Sequence, residues 1–149
     1  MSNVDAAKAL IMKYESLRLE AYLDGGGVAT IGWGSTRMAD GSRVRLGQKI
    51  NQELADALFD EHFWDCKERV EDLCLPIVLN ENQLGAVVSL VYNIGINAFR
   101  TSTLLKYIHE RWSEVDSIAP QFLRWDHDNG IVVDGLTKRR KEEMELFLT

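Results

Sequence analysis

The chain has 149 residues, 46% of them hydrophobic and 27% charged, and a formal net charge of −6. That length suits one domain with its own core, and the acidic balance excludes long-range attraction to nucleic acid or to an anionic surface. The longest apolar runs, such as residues 85–92, are too short to span a bilayer, so no stable membrane insertion is expected.

Val4, Ala7, Leu10, Ile11 and Tyr14 share one helical face and predict a helix at about 3–14, with Ser2 or Asn3 as its cap. No basic leader with an apolar core stands there, so synthesis in a cytosol without a secretion signal is expected. From Leu17 the period changes to two, through Leu19, Ala21 and Leu23. Gly25, Gly26 and Gly27 then precede Val28, Ala29, Ile31 and Trp33, which predicts a hairpin, with a third short strand near Arg43 to Leu46.

Asn51 is a candidate cap for one long helix that Pro76 stops near Leu75. Within it, Cys66 and Cys74 lack the companions of a metal or redox site and are expected to be buried free thiols. Asn80 and Gln83 form a capping signature that opens an apolar central helix, Leu84 to Ile94, ended by Gly95. Further helices are predicted at about Ser102 to Trp112, Glu114 to Trp125 and Leu136 to Leu148, separated by residues 96–100 and the turn-rich 126–135. The expected fold class is α+β, a single domain over 1–149. A β-containing lobe at about 13–50 is joined by the long helix to a helical lobe at about 76–149 that includes the first helix, with a cleft at the seam.

Glu15 falls where the first helix should end and Asp24 where the hairpin turns, so a strand fixes their separation. Two carboxyl groups held apart are what glycoside hydrolysis uses, one as acid and one to activate water or attack. Thr30 on the return strand brings a hydroxyl near them. By themselves, two acids nine residues apart are also ordinary surface residues.

The string "ESLRLEAYLDGGGVATIGWGST" resembles the active-site signature of the phage endolysin lysozymes of glycoside hydrolase family 24. The segments "QLGAVVSLVYNIGINAFRTSTLL" and "GLTKRRKEEMELF" are similar to that family's central helix with its following loop and to its C-terminal helix, and Trp112 and Trp125 also fall at family positions. The resemblance implies a lysozyme-like fold and a muramidase that hydrolyses the β-1,4 bond between N-acetylmuramic acid and N-acetylglucosamine. It implies Glu15 as general acid, protonated through partial burial, Asp24 as the group that positions water, and Thr30 as its hydroxyl partner. An inverting displacement is expected, with a carboxyl separation of roughly 6.5–9.5 Å.

By the same resemblance Arg139 reaches back to Glu15, with Arg140 as the fallback. Candidates for contact with the glycan strand are Trp33, Thr36, Tyr92, Asn93, Ser102 and Thr103. Many family members carry a histidine where this chain has Ser35. His62, His109 and His127 read as surface or helix residues, and the run Lys138 to Lys141 as a solvated face or a substrate-facing patch. No metal or cofactor is expected. The partner implied is peptidoglycan, acted on by a monomer that stays in the host cytoplasm until a holin opens the inner membrane. A lytic transglycosylase, a non-catalytic wall-binding module and an unrelated helical regulator are the competing readings.

Overall fold

The structure is a computed structural model and describes residues 3–128 and 130–149. Its elements are α1 (Asn3–Tyr14), β1 (Arg18–Leu23), β2 (Ala29–Gly32), α2 (Gln52–Cys74), α3 (Glu81–Ile94), α4 (Ile96–Arg100), α5 (Thr103–Glu110) and α6 (Val115–Ile118). A 3₁₀ segment (Ala119–Arg124), β3 (His127–Asp128), β4 (Ile131–Val132) and α7 (Asp134–Leu148) complete the chain. The α+β class expected from the sequence is the one observed. The cap expected of Ser2 lies outside the described residues.

The chain divides into two compact units, Met12–Trp64 and a second made of Asp65–Thr149 with α1 up to Ile11. The boundary therefore runs through α1 and α2, and each of these helices supplies residues to both units.

In the Met12–Trp64 unit, β1 and β2 pair antiparallel with Tyr22 opposite Thr30 and Leu23 opposite Ala29, and the register slips between Arg18 and Tyr22. Ala21, Ile31, Val44 and Leu58 form its core, with Ala29, Met38, Ile50 and Leu54 packed against them. The third strand expected near Arg43 to Leu46 is replaced by isolated bridges, Arg37 with Arg43 and Glu20 with Lys49. Gly32 has φ 66° and stands where a Cβ would meet the Ala55 Cβ at 3.4 Å, so backbone conformation and close approach both call for glycine. α2 opens with the Leu54 N–H donating to Asn51 Oδ1 at 2.8 Å, the cap the sequence predicts.

In the other unit, α3 begins in a complete capping box: Gln83 N–H donates to Asn80 Oδ1 at 2.8 Å, and Asn80 N–H donates to Gln83 Oε1 at 2.9 Å. From Gly85 to Tyr92 it is buried on every side, as its continuous apolar character predicts. α7 packs on α3 and on the 3₁₀ segment, with Phe147 5.3 Å from Phe122 and 6.3 Å from Trp112, centroid to centroid. Residues 96–100, expected as a loop, form α4. The helix expected from Glu114 to Trp125 breaks into α6 and the 3₁₀ segment, because Pro120 near the junction lacks an N–H donor. The turn-rich 126–135 contains the β3–β4 hairpin.

Candidate active site

α1 ends at Tyr14, and Glu15 follows in a bend, half-buried. β1 then carries the chain to Asp24, whose Oδ1 accepts hydrogen bonds from the Gly26 and Val28 amides, both at 2.9 Å. The turn closes with Asp24 N–H donating to Val28 O at 2.9 Å and Gly27 N–H to Asp24 O at 3.0 Å. Because Oδ1 takes both side-chain bonds, the carboxylate has a fixed direction. No hydrogen bond from a described residue reaches Oδ2, which an exposed residue offers to solvent.

Thr30 is 4% exposed. Its hydroxyl donates to Val28 O at 2.9 Å, so its proton goes to the backbone and its oxygen remains an acceptor. Val28 thus ties the two side chains together, its N–H to Asp24 and its carbonyl to Thr30.

Tyr22 lies two residues before Asp24 and opposite Thr30, so the alternation of the strand puts it on their face. Burial pushes its phenol above the usual range, the Glu15 carboxylate adds to that, Arg18 opposes it, and Asp24 adds again. One phenol is therefore within electrostatic reach of both carboxylates. The Arg18 guanidinium stacks over the Tyr22 ring, 4.5 Å from its centroid. Tyr22 was not among the residues singled out from the sequence, although its place in the strand alternation was a usable signal.

Trp33 is half-buried, donates Nε1–H to Asp56 Oδ1 at 2.8 Å and meets Phe59 edge-on at 6.5 Å. Gln52 donates to the same Asp56 oxygen at 2.9 Å. Thr36 is exposed, and its carbonyl accepts from Val44 N–H at 3.0 Å. Ser35 is buried with no partner for its hydroxyl among the described residues, while its backbone exchanges two 2.8 Å hydrogen bonds with Ile31. The backbone closes this turn.

In the Asp65–Thr149 unit, Tyr92 is 7% exposed and part of the core. Ser102 is the N-cap of α5, accepting from Leu105 N–H at 3.1 Å and donating to Phe99 O at 2.7 Å, so a local structural role uses its hydroxyl. Thr103 accepts from Arg124 Nη1 at 3.3 Å. These two threonine and arginine side chains, with Ser102, Gln121 and Trp125, line a pocket of about 270 Å³.

The run Lys138 to Lys141 is not one solvated or substrate-facing patch: Lys138 and Lys141 are exposed, but Arg139 and Arg140 are 3% and 0% exposed. Glu143, also fully buried, joins them. Its Oε2 accepts from Ser89 Oγ and from Arg139 Nε at 3.2 Å, and its Oε1 accepts from Arg140 Nη1. Arg139 Nη2 donates to Ser89 O at 2.9 Å. Arg140 Nε donates to Trp125 O at 2.8 Å and its Nη2 to Asn93 Oδ1. Glu143 escaped notice in the sequence, where a third acid in a charged helix carries no mark of burial.

Of the histidines, His109 is exposed with Nε2 2.8 Å from Leu73 O, and His127 is exposed beside Asp126. No group of His, Cys, Asp and Glu able to hold a metal occurs among the described residues.

A family model described as phage lysozyme matches residues 12–143. The chain belongs to the phage lysozyme family. Within it, the chain is 35% identical to the endolysin of Salmonella phage P22 over 139 residues, covering 93% of this chain and 92% of that protein. It is 36% identical to the endolysin of Bacillus phage B103 over 142 residues, but spans only 51% of that longer protein. Among solved structures it is similar to an endolysin from Escherichia coli O157:H7 phage FAHEc1, with TM-score 0.84, 30% identity and coverage of 99% and 94% of the two chains. It is also similar to the muramidase domain of SpmX from Asticaccaulis excentricus, with TM-score 0.81, 34% identity and coverage of 97% and 96%.

Proposed function

We propose that this phage lysozyme is an endolysin-type muramidase that hydrolyses the β-1,4 bond of peptidoglycan, with Glu15 as general acid and Asp24 directing the attacking water. The observation that carries this is the hairpin turn that gives the Asp24 carboxylate a fixed direction through the Gly26 and Val28 amides and ties Thr30 to it through Val28. Glu15 protonates the leaving oxygen. Asp24 Oδ2 accepts a proton from water that the Thr30 oxygen helps to hold, which gives a single displacement with inversion. Trp33 and Thr36, together with Asn93, Ser102 and Thr103, supply contacts to the glycan.

The test is clearing of permeabilised Gram-negative cells, with analysis of the sugar ends released. Glu15→Gln is expected to lower turnover by at least about 10²-fold. Asp24→Asn keeps an oxygen for the Gly26 and Val28 amides, so it should fold normally and lose activity to a similar degree. Ordinary reducing muramic-acid ends support hydrolysis. Anhydro ends would make the enzyme a transglycosylase, and binding to walls without fragments would make it a wall-binding module.

Delivery to the wall differs among relatives, since the protein of Enterobacteria phage P21, 31% identical, is named a SAR-endolysin. We place this chain, acting as a monomer, in the holin-dependent group: α1 packs into the fold, with Ala7 and Ile11 fully buried, and so does not itself serve as an export anchor. Expression with and without a holin checks this: lysis of cells lacking a holin overturns it.

A further inference from the structure

Resting on the muramidase activity proposed above, we propose that Arg140 is a positioning residue that locks the Asn93 amide with its N–H₂ outward, making this position select a hydrogen-bond acceptor such as the acetamido carbonyl of the glycan.

The argument begins with what a guanidinium offers. Arginine carries donors only, so the Asn93 atom that meets Arg140 Nη2 has to be the carbonyl oxygen. That settles the orientation of an amide by chemistry. The Nδ2 group then points away from Arg140, and Asn93 is an exposed residue on the last turn of α3. What the surface presents at this position is a donor pair.

Arg140 itself has no freedom to follow a moving amide. It is 0% exposed, with Nε on the Trp125 carbonyl and Nη1 on Glu143 Oε1. Glu143 is held in turn by Ser89 and Arg139. A guanidinium plane fixed at two points, by the Trp125 carbonyl and the buried Glu143 carboxylate, presents Nη2 in one direction, and the Asn93 amide inherits that direction. The Trp125 held by the same guanidinium also lines the pocket of about 270 Å³ that contains Ser102, Thr103 and Arg124. One buried side chain therefore registers the Asn93 amide against a wall of a polar pocket.

An outward N–H₂ discriminates between ligands. It satisfies an acetamido carbonyl and meets an ammonium group, itself only a donor, with no bond at all.

Asn93→Asp separates positioning from mere support. The carboxylate still accepts from Arg140, so the buried network keeps its partner, but the outward donor is gone. We expect KM on acetylated peptidoglycan to rise about five- to tenfold with little change in kcat, as for a lost neutral hydrogen bond. The parent should cut acetylated glycan better than glycan with its glucosamine acetyl groups removed, and the variant should lose most of that preference. The melting temperature should hold.

If KM and the acetyl preference of Asn93→Asp equal those of the parent, Asn93 serves only as a partner for Arg140 and the proposal is overturned. Should the variant melt early, the parent carries the test: titration with chitin trisaccharide should shift the side-chain amide signal of Asn93, and a stationary signal overturns the proposal. A parent that releases no fragments would remove the muramidase activity itself, a result distinct from an active parent with an indifferent variant.

Discussion

Replacing Glu143 by glutamine tests whether the buried charge cluster holds the helical unit together. The carboxylate accepts from Ser89 Oγ, Arg139 Nε and Arg140 Nη1 with no exposed surface. Glutamine keeps one oxygen, turns an N–H₂ toward a donor-only guanidinium and leaves two buried cations without this anion. Breaking a buried pair by removing one partner costs about 3–5 kcal/mol. That is a large share of the roughly 5–15 kcal/mol by which a domain is stable. For a chain of this size it corresponds to a fall in Tm of about 8–15 °C. Urea unfolding followed by circular dichroism gives the free energy. Ser89→Ala, which removes one hydroxyl donor to a charged acceptor, should cost about 1.5–3 kcal/mol alone and less when Glu143 is already changed. A loss below about 1 kcal/mol for Glu143→Gln, with an unchanged denaturant slope, would refute the account.

Two further outcomes are expected. Ser35→Ala removes a buried hydroxyl that has no partner among the described residues, so it should leave stability unchanged or raise it by up to about 1 kcal/mol; a loss of that size in urea titration would mean the hydroxyl is bonded. Burial pushes the Cys66 and Cys74 thiols up from 9.0 to about 12, so the fold favours their neutral form. Their stabilisation is whole below about pH 9 and is lost as pH rises from there toward 12, at about 1.4 kcal/mol per pH unit for each thiol. Urea midpoints at pH 7, 9 and 10 should therefore drop more steeply in the parent than in the Cys66→Ala, Cys74→Ala double variant, and parallel slopes would count against buried thiols.

Much of the small unit was legible because its signals are local. Alternation from Leu17 to Leu23 gave the hairpin, and the glycines marked its turn. Asn80 with Gln83 gave a capping box that needs only three residues of spacing. Glu15, Asp24 and Thr30 were recognisable as a motif, but their bonding was not: a sequence does not say that the Thr30 proton goes to Val28 O. Ser102 was read as a glycan contact, and nothing in the sequence says that its hydroxyl also caps α5. Both are short hydroxyl side chains, and only backbone geometry separates the roles. Tyr22 was overlooked because a tyrosine on a half-buried strand is ordinary until the charges around it are placed.

The misread run from Lys138 to Lys141 has a physical explanation. Patterning arguments assign a helix one buried face and one wet face, and consecutive residues lie about 100° apart around the axis, so two adjacent arginines look like members of a wet arc. α7 does not have one buried face. It packs on α3 and on the 3₁₀ segment, and the adjacent arginines divide between these neighbours: Arg139 reaches the Ser89 carbonyl of α3, and Arg140 reaches the Trp125 carbonyl just past the 3₁₀ segment. Glu143 sits one turn further on, where both can reach it. Burial of both cations follows from contact on two sides, and so does the fixed direction of the Asn93 amide. In α7 the adjacent arginines, with one glutamate at i+4 and i+3 from them, mark a helix wedged between two partners, which single-face patterning reads as solvent.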